Sequence, residues 1–379
     1  MPQITATHAP APAEAPTDLM PLNGIDHIEL YVGNAAQAAY FYEHAFGFRP
    51  IAYAGLETGL RDRTSHVVQQ GRIRLVLTGT LHSDTEIARH HAKHGDGVRS
   101  IALSVPDVNQ AHDEAVKRGA RSVEVPNVLS DEHGQISRAS IATYGDTLHT
   151  FIDRSLYNGP FAPGFAMREP RRPSDADEML LAIDHVVGNV ELGHMEKWVS
   201  FYESVFGMVE MVHFSDEAIS TEYSALMSKV VASGNDRIKF PINEPAQGRK
   251  KSQIDEYLDF YEGAGAQHIA VATRDIVATV VELRRRGVEF LPIPDAYYDE
   301  VPERVPEVAG QLSDLRQQGI LVDHDDEGYL LQIFTKPVGD RPTVFFEVIE
   351  RHGATGFGAG NFKALFEAIE REQDKRGNL

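Results

Sequence analysis

Gly24-Ile-Asp-His-Ile28 and Ala182-Ile-Asp-His-Val186 open two stretches of the sequence that repeat each other. Each opening is followed by a Phe-Tyr-Glu triplet, at 41–43 and 201–203, and by a Phe-Gly pair, at 46–47 and 206–207. The repeat continues with 95–102 against 263–270 and with 151–154 against 348–351. Self-similarity of this kind indicates two copies of one structural unit. The second copy carries an insertion over roughly 297–319.

Within each copy the pattern is strand, helix and several strands, twice over. Alternation such as Ile183, His185 and Val187 predicts the strands, and glycines such as Gly47 and Gly207 end the predicted helices. We therefore predict an α+β fold with two tandem domains, each of two βαβββ units that form an open barrel. The predicted boundaries are a disordered Pro/Ala-rich tail (1–20), an N-terminal barrel domain without a complete metal site (21–160), a linker (161–180) and a C-terminal catalytic barrel domain (181–379).

The composition limits the possible functions. Lys and Arg number 36 and Asp and Glu 56 among 379 residues, so the formal net charge is −20, which disfavours nucleic acid as a partner. The chain has no cysteine, which excludes disulfides and thiolate metal sites and fits a cytoplasmic location. Since apolar runs fall short of the roughly 18 residues that a spanning helix needs, we expect no membrane partner.

Three polar residues occur on predicted strands at positions where the neighbouring residues of the same face are apolar. His185, His268 and Glu347 each alternate with apolar neighbours and therefore point into a core or a lumen. A single histidine in such a place is most often a hydrogen-bonded core residue. A buried carboxylate without a partner costs several kcal/mol, so Glu347 needs a cation, which an arginine, a lysine or a metal would supply.

Two neutral imidazoles and one carboxylate match the facial triad of non-haem Fe(II) oxygenases. Alignment of the repeats places His27 opposite His185, Ser100 opposite His268 and, with a short gap, Thr150 opposite Glu347. The first copy therefore lacks ligands, and we expect one metal per chain, with His27 as a structural histidine.

The second copy resembles the 4-hydroxyphenylpyruvate dioxygenase family. The matching stretches are Pro241-Ile-Asn-Glu-Pro245, Lys251-Ser-Gln-Ile254, Gly263-Ala-Gly-Ala-Gln-His268, Leu330-Leu-Gln-Ile-Phe334, Asp340-Arg-Pro-Thr-Val-Phe-Phe-Glu347 and Gly356-Phe-Gly-Ala-Gly-Asn-Phe362. The resemblance is dense from about residue 180 onward and looser in the first copy; Ala359 stands where the family is expected to have lysine. It implies the vicinal oxygen chelate, or glyoxalase-like, fold.

The resemblance also implies a function and a set of site residues. It assigns Fe(II) to His185, His268 and Glu347, in agreement with the alternation, and makes 4-hydroxyphenylpyruvate and O2 the substrates and homogentisate the product of tyrosine catabolism. Gln253 and Gln332 would assist the metal site in catalysis. The implied substrate contacts are Ser228, Asn243, Gln253, Gln267, Gln332, Phe334, Phe345, Phe357, Asn361 and Phe362. A homodimer or homotetramer is also implied.

The C-terminal segment predicts a mobile cover for the site. Asn361 is placed to cap a helix from Phe362 onward, and Leu365, Phe366 and Ile369 share one face of that helix. We expect this helix to gate the barrel mouth and to exclude water from the iron.

Two alternatives stay open at this point. 4-Hydroxymandelate synthase resembles the same family in fold, metal and substrate but hydroxylates the benzylic carbon. A metal-free binding protein on the same scaffold is also compatible with the fold, since fold alone does not determine function.

Overall fold

A computed structural model describes residues 20–169, 178–214, 225–246 and 250–377. The predicted tail lies outside these residues except for Met20, which is buried. Among the described residues, none of the helices has the length and apolar character required to cross a membrane.

The first half contains two βαβββ units. The first unit consists of β1 (Gly24–Tyr31), α1 (Ala35–Phe41, continued by a π-helical turn over Tyr42–Phe46), β2 (Arg49–Ala54), β3 (Arg63–Gln70) and β4 (Ile73–Thr80). After α2 (Glu86–His94), the second unit consists of β5 (Gly97–Ser104), α3 (Val108–Lys117), β6 (Ser122–Asp131), β7 (Gly134–Ala142) and β8 (Leu148–Asp153). A short strand, β9 (Ala166–Met167), follows.

The second half repeats this order. Its first unit consists of β10 (Ala182–Asn189), α4 (Met195–Phe201, continued by a π-helical turn over Tyr202–Phe206), β11 (Val209–Phe214), β12 (Ala225–Ala232) and β13 (Lys239–Ala246). After α5 (Gln253–Tyr261) come β14 (Gly265–Ala272), α6 (Ile276–Arg285), α7 (Val301–Arg304), α8 (Leu312–Gln318), β15 (Leu321–Asp325), β16 (Gly328–Phe334) and β17 (Phe345–His352). The chain closes with α9 (Phe362–Arg376).

Each half forms one curled sheet with the same central strands. The orders are β6-β7-β8-β5-β1-β4-β3-β2-β9 and β11-β12-β13-β10-β14-β17-β16-β15. In both, the two opening strands pair antiparallel (β1 with β5, β10 with β14), and the second of them pairs parallel with the last strand of its unit. The predicted α+β architecture of two tandem barrels is confirmed.

Local sequence explains where the helices begin and end. The side chains of Asp107 and Asp275 accept hydrogen bonds from backbone N–H groups in the first turns of α3 and α6, at corresponding places in the two halves. Gly47 and Gly207 adopt φ values of 80° and 73° after the two π-helical turns, a left-handed conformation that glycine reaches without strain. The repeat is therefore visible in helix capping as well as in strand order.

The two halves pack against each other through a shared apolar core. The ring of Phe346 on β17 lies 5.8 Å from Tyr42 and 5.0 Å from Phe46, which belong to the first half. In the other direction, His149 on β8 lies 5.6 Å from Tyr202. Buried aromatic pairs at these separations stabilise the interface beyond the burial of area alone.

One strand of the first half falls inside the stretch predicted as a linker. Strand β9 pairs with β2, so the first half extends past residue 160 into the predicted linker, at least to Met167. Residues 170–177 of that linker lie outside the described part. Helices α2 and α5, which join the two units of each half, have no counterpart in the prediction. The insertion is confirmed and contains α7 and α8.

Candidate metal centre

Three adjacent strands bring the predicted ligands together. His185 lies on β10, His268 on β14 and Glu347 on β17. Ala270 of β14 pairs with both His185 and Glu347, and His268 is two residues away on the same strand and face. Three residues that are far apart in sequence thus converge on one face of the sheet because their strands are neighbours.

The three side chains form a compact, buried group. The Nε2 atoms of His185 and His268 lie 3.2 Å and 3.3 Å from Oε2 of Glu347. One donor atom from each residue lies within 4.8 Å of the other two, which is the only such group among the described residues. All three residues are buried. This donor set, with nitrogen and oxygen ligands on one side, could hold a divalent transition metal.

The outer nitrogens of both imidazoles have partners. Nδ1 of His185 lies 2.7 Å from Oδ1 of Asp184, and Nδ1 of His268 lies 3.0 Å from Oε1 of Gln267. An acceptor at Nδ1 holds the proton there and leaves the Nε2 lone pair available to a metal. The structure therefore places Gln267 as the hydrogen-bond partner of a candidate ligand; its predicted contact with substrate stays a prediction.

The charges of the site suit a cation. Burial raises the pKa of Glu347, but the two imidazoles outweigh this effect and lower it to about 2, so the carboxylate is ionised. Burial lowers the pKa of His268, which favours the neutral form that binds metals. Burial also acts to lower the pKa of His185, yet the neighbouring carboxylates of Glu347 and Asp184 raise it overall. A metal ion would replace the proton that these carboxylates attract.

Predicted aromatic residues surround the histidines. The ring of Phe345 stacks on His268 with centroids 4.8 Å apart, and Phe334 meets His268 edge-on at 5.8 Å. Phe357 meets His185 edge-on at 5.1 Å. The described side chains therefore give the centre an apolar wall.

Four of the predicted polar residues, Ser228, Asn243, Gln253 and Gln332, are buried. Ser228 and Asn243 pair across β12 and β13, and Nδ2 of Asn243 is 3.4 Å from Oδ1 of Asn189 on β10. Gln332 is buried with its Oε1 unpartnered, and Gln253 begins α5 beside a cleft that it shares with Gln267. A buried amide oxygen without a partner is costly, and a bound ligand would satisfy it.

Helix α9 packs against the aromatic rings beside His268. Its residues Leu365 and Ile369 pack in one apolar cluster with Phe334 and Phe345. Its far end is tied to α5, because Arg376 donates to both carboxylate oxygens of Glu256, at 3.1 and 2.6 Å. Helix α9 therefore packs over two rings that contact His268, and its predicted role as a gate stays a prediction.

The start of α9 differs from the prediction in one respect. The helix begins after Asn361, as expected, but the Asn361 side chain does not cap it. Its Oδ1 instead accepts a hydrogen bond of 2.5 Å from the hydroxyl of Tyr297 in the insertion. The side chain of Phe362 lies outside what the structure describes.

Gly358 shows how closely the cover approaches the site. Its φ is +75°, and a Cβ there would lie 2.5 Å from Nε2 of Gln332. The backbone conformation would strain any side chain at this position, and the Gln332 amide would have to move to make room for one.

Asp184 and Arg351 belong to the site although the sequence analysis did not select them. Arg351 donates to both oxygens of Asp184, at 2.8 and 2.8 Å, and Asp184 in turn accepts from His185. The repeat could have identified both residues, because an Asp precedes the His at 26–27 and at 184–185, and an Arg ends the last matching block of each copy, at 154 and 351.

Comparison with known proteins places both halves in one superfamily. Residues 24–136 and 182–303 match the Glyoxalase/Bleomycin resistance protein/Dioxygenase superfamily. The chain is 49% identical over 389 residues to 4-hydroxyphenylpyruvate dioxygenase from Yarrowia lipolytica, covering 100% of this chain and 99% of that protein. It is 50% identical over 367 residues to the Dictyostelium discoideum protein of the same name, covering 94% and 100%.

A solved structure is similar over most of the chain. A mutant of 4-hydroxymandelate synthase from Streptomyces coelicolor superposes with a TM-score of 0.85 at 37% identity, covering 93% of this chain and 100% of that chain. The two-barrel fold of this chain is therefore shared with that synthase.

Proposed function

The chain belongs to the 4-hydroxyphenylpyruvate dioxygenase family, and we propose that it converts 4-hydroxyphenylpyruvate and O2 to homogentisate and CO2 at one Fe(II) per chain. The observation that carries this proposal is the buried group of His185, His268 and Glu347, with Nε2 and Oε2 atoms facing one another. Two imidazoles and a carboxylate leave positions open for substrate and oxygen, as in other non-haem iron oxygenases.

The iron would supply a chelation site for the keto acid and would activate O2 next to it. The protein's part is to hold the three ligands in place. Asp184 and Gln267 fix the outer nitrogens of the two histidines, so that both Nε2 atoms face the centre. Glu347 is the one anion among the three ligands, so its ionised carboxylate would neutralise a divalent cation only in part, and the remaining positive charge would attract an anionic substrate.

The surrounding side chains suit an aryl keto acid. Phe334, Phe345 and Phe357 form an apolar wall against which a ring would pack. Buried amides, among them Gln332 with its unpartnered oxygen and Asn243, would hydrogen-bond the phenol or the keto acid without adding charge. We propose substrate contact for the remaining predicted residues Ser228, Gln253, Gln267, Asn361 and Phe362 as well, with Gln253 and Gln332 assisting the reaction.

Helix α9 would act as a gate. Closed, it buries Leu365 and Ile369 against Phe334 and Phe345 and shields the centre from water. Substrate entry requires this contact to open, so movement of α9 would limit entry or product release.

The test is product analysis. Protein loaded anaerobically with Fe(II) is mixed with 4-hydroxyphenylpyruvate and O2, and the product is identified by mass and retention time. Homogentisate with release of CO2 supports the proposal. 4-Hydroxymandelate would instead support benzylic hydroxylation, the reaction of the synthase similar in fold. A protein that binds no Fe(II) and yields neither product would favour a metal-free binding role.

We propose, further, that the chain assembles as a homodimer or homotetramer in the cytoplasm. The edge strand β6 exposes Val123, Val125 and Val128, and exposed apolar side chains on a sheet edge favour association. Light scattering tests the assembly, and a monomeric mass would reject it.

A further inference from the structure

We propose that Arg351 is a positioning residue that couples the metal centre to the covering helix α9. The inference rests on the proposed metal site and adds a role for a residue outside the ligand set. A single guanidinium contacts both the partner of a ligand and the segment from which the cover extends.

One side of Arg351 faces the metal ligand. Its Nε and Nη2 each lie 2.8 Å from an oxygen of Asp184, and Oδ1 of Asp184 lies 2.7 Å from Nδ1 of His185. Both members of the ion pair are largely buried, with 18% and 11% of their side-chain surfaces exposed. A fork of two parallel hydrogen bonds fixes the carboxylate plane, and the carboxylate then fixes the rotation of the imidazole.

The other side of Arg351 faces the connection between β17 and α9. Its Nη1 donates to the backbone oxygens of Ala354 and Gly356, at 3.1 and 2.6 Å. The next residue, Phe357, places its ring 5.6 Å from the guanidinium carbon and edge-on to His185. The start of the cover is therefore held by the same group that holds the ligand's partner.

These contacts link two rearrangements. If α9 opens and carries Gly356 and Phe357 away, Arg351 loses its backbone acceptors and His185 loses the ring packed against it. If a metal fixes His185, Asp184 and Arg351 become better ordered, and the β17–α9 connection is held in its closed position. Coupling between two sites is reciprocal, so metal binding and closure should favour each other.

The first half supplies a matched control. Arg154 forms the same fork with Asp26, at 2.8 and 2.7 Å, and also donates to the backbone oxygen of Phe161. The Phe161 ring lies edge-on to His27 at 5.2 Å and 4.8 Å from the guanidinium of Arg154. Among the described residues, however, His27 belongs to no three-ligand group, and β9 rather than a helix follows Phe161.

The experiment compares Arg351→Gln with Arg154→Gln in the full-length protein. Fe(II) alone is titrated anaerobically, and hydrogen exchange of the α9 amides is measured with and without the metal. We expect Arg351→Gln to weaken Fe(II) binding by up to roughly 10–100-fold, the usual effect of removing a group that is bonded directly to a ligand, because Arg351 acts on His185 through Asp184. We also expect the metal to increase protection of α9 in the wild type and in Arg154→Gln but not in Arg351→Gln.

A second substitution covers the case in which Arg351→Gln does not fold. Arg351→Lys keeps the charge but cannot reproduce the fork, since an ammonium group lacks the planar pair of donors. It should retain the fold and still lose the metal-dependent protection of α9. Equal behaviour of the Arg351 and Arg154 variants would overturn the proposal, as would weakened metal binding with the protection response intact. Failure of the wild type to bind Fe(II) would instead reject the proposed function.

Discussion

His27 and His185 occupy corresponding positions in the two halves. The groups around their Nδ1 atoms are the same in both halves, whereas the residues at the positions of the other two candidate ligands differ. Each histidine has Nδ1 at 2.7 Å from the preceding aspartate, which is held by a forked arginine. Each also has a phenylalanine ring edge-on to the imidazole. The Asp-His-Arg arrangement is thus a feature of the scaffold, present whether or not a metal site is.

The difference lies at two neighbouring positions. Where the second half has His268 and Glu347, the first has Ser100 and Thr150, whose hydroxyl oxygens are 2.8 Å apart. Ser140 lies 2.9 Å from Thr150 and extends this network. Hydroxyl groups satisfy one another by hydrogen bonding and require no cation, whereas a buried carboxylate does. Two differences in sequence therefore replace two of the three ligands by a pair of hydrogen-bonded hydroxyl groups.

The largest effect, on Fe(II) affinity and turnover, is expected when a ligand position of the second half is changed to an uncharged residue, as in the first half. Glu347→Gln keeps the shape of the side chain but removes the anionic ligand. Fe(II) affinity should fall by more than about 100-fold, since even the loss of a partner behind a ligand costs 10–100-fold, and turnover should fall with it. Anaerobic Fe(II) titration and oxygen consumption measure the two losses. Thr150→Val is the matched control and should leave both unchanged; retained metal binding in Glu347→Gln would contradict the assigned ligand set.

The converse change should create a second site. In Ser100→His/Thr150→Glu, the new side chains would join His27 at the positions that correspond to His268 and Glu347, because Ala102 pairs with His27 and Thr150 as Ala270 pairs with His185 and Glu347. We expect Co(II) stoichiometry, measured by elemental analysis of purified protein, to rise from one to two per chain. Ser100→His alone provides too few ligands and serves as the control. A folded double variant that still binds one ion would show that the lumen of the first half differs in more than these two residues.

A smaller effect, on the free energy of unfolding, is expected when the ion pair between Asp26 and Arg154 in the first half is removed. Asp26 is buried, and burial would raise its pKa, but His27 and Arg154 lower it overall, well below the ordinary value. A group with a lowered pKa stabilises the fold above its unfolded-state pKa of about 3.9 and ceases to do so as the pH falls through the folded-state value. Asp26→Asn leaves Arg154 without its carboxylate, so urea unfolding at pH 7 should show a loss of about 3 kcal/mol.

The pH dependence separates charge from packing in that variant. The gap in unfolding free energy between wild type and Asp26→Asn should narrow as the pH is lowered below about 4, since protonation removes the charge of the wild-type residue as well. A gap that does not change with pH would mean that the side chain acts through packing. Fe(II) affinity should be unaffected, because Asp26 lies in the half without the ligand set.

Local patterns were sufficient to predict the repeated βαβββ order and the three candidate ligands. Alternation along a strand tells which residues share a face, and His185, His268 and Glu347 are polar residues on apolar faces. The repeat then indicated that only the second copy keeps all three. These features depend on periodicity and on comparison of one stretch with another, both of which are present in the chain itself.

Other features depend on which distant groups meet. Asp184 and Arg351 are 167 positions apart, and only folding makes them an ion pair. Asn361 is of a residue type that commonly caps helices, but its side-chain oxygen instead accepts a hydrogen bond from the hydroxyl of Tyr297 in the insertion. The segment after residue 160 has the composition of a linker, yet Phe161 packs on His27 and β9 pairs with β2.

By itself, the sequence determined the duplication, the strand faces and the identity of the candidate ligands, because each follows from spacing along the chain. The tertiary structure alone decided which hydrogen-bond partner each candidate ligand and each predicted capping residue has, since a hydrogen bond forms with the nearest well-oriented group in space. Separation along the chain does not predict that group.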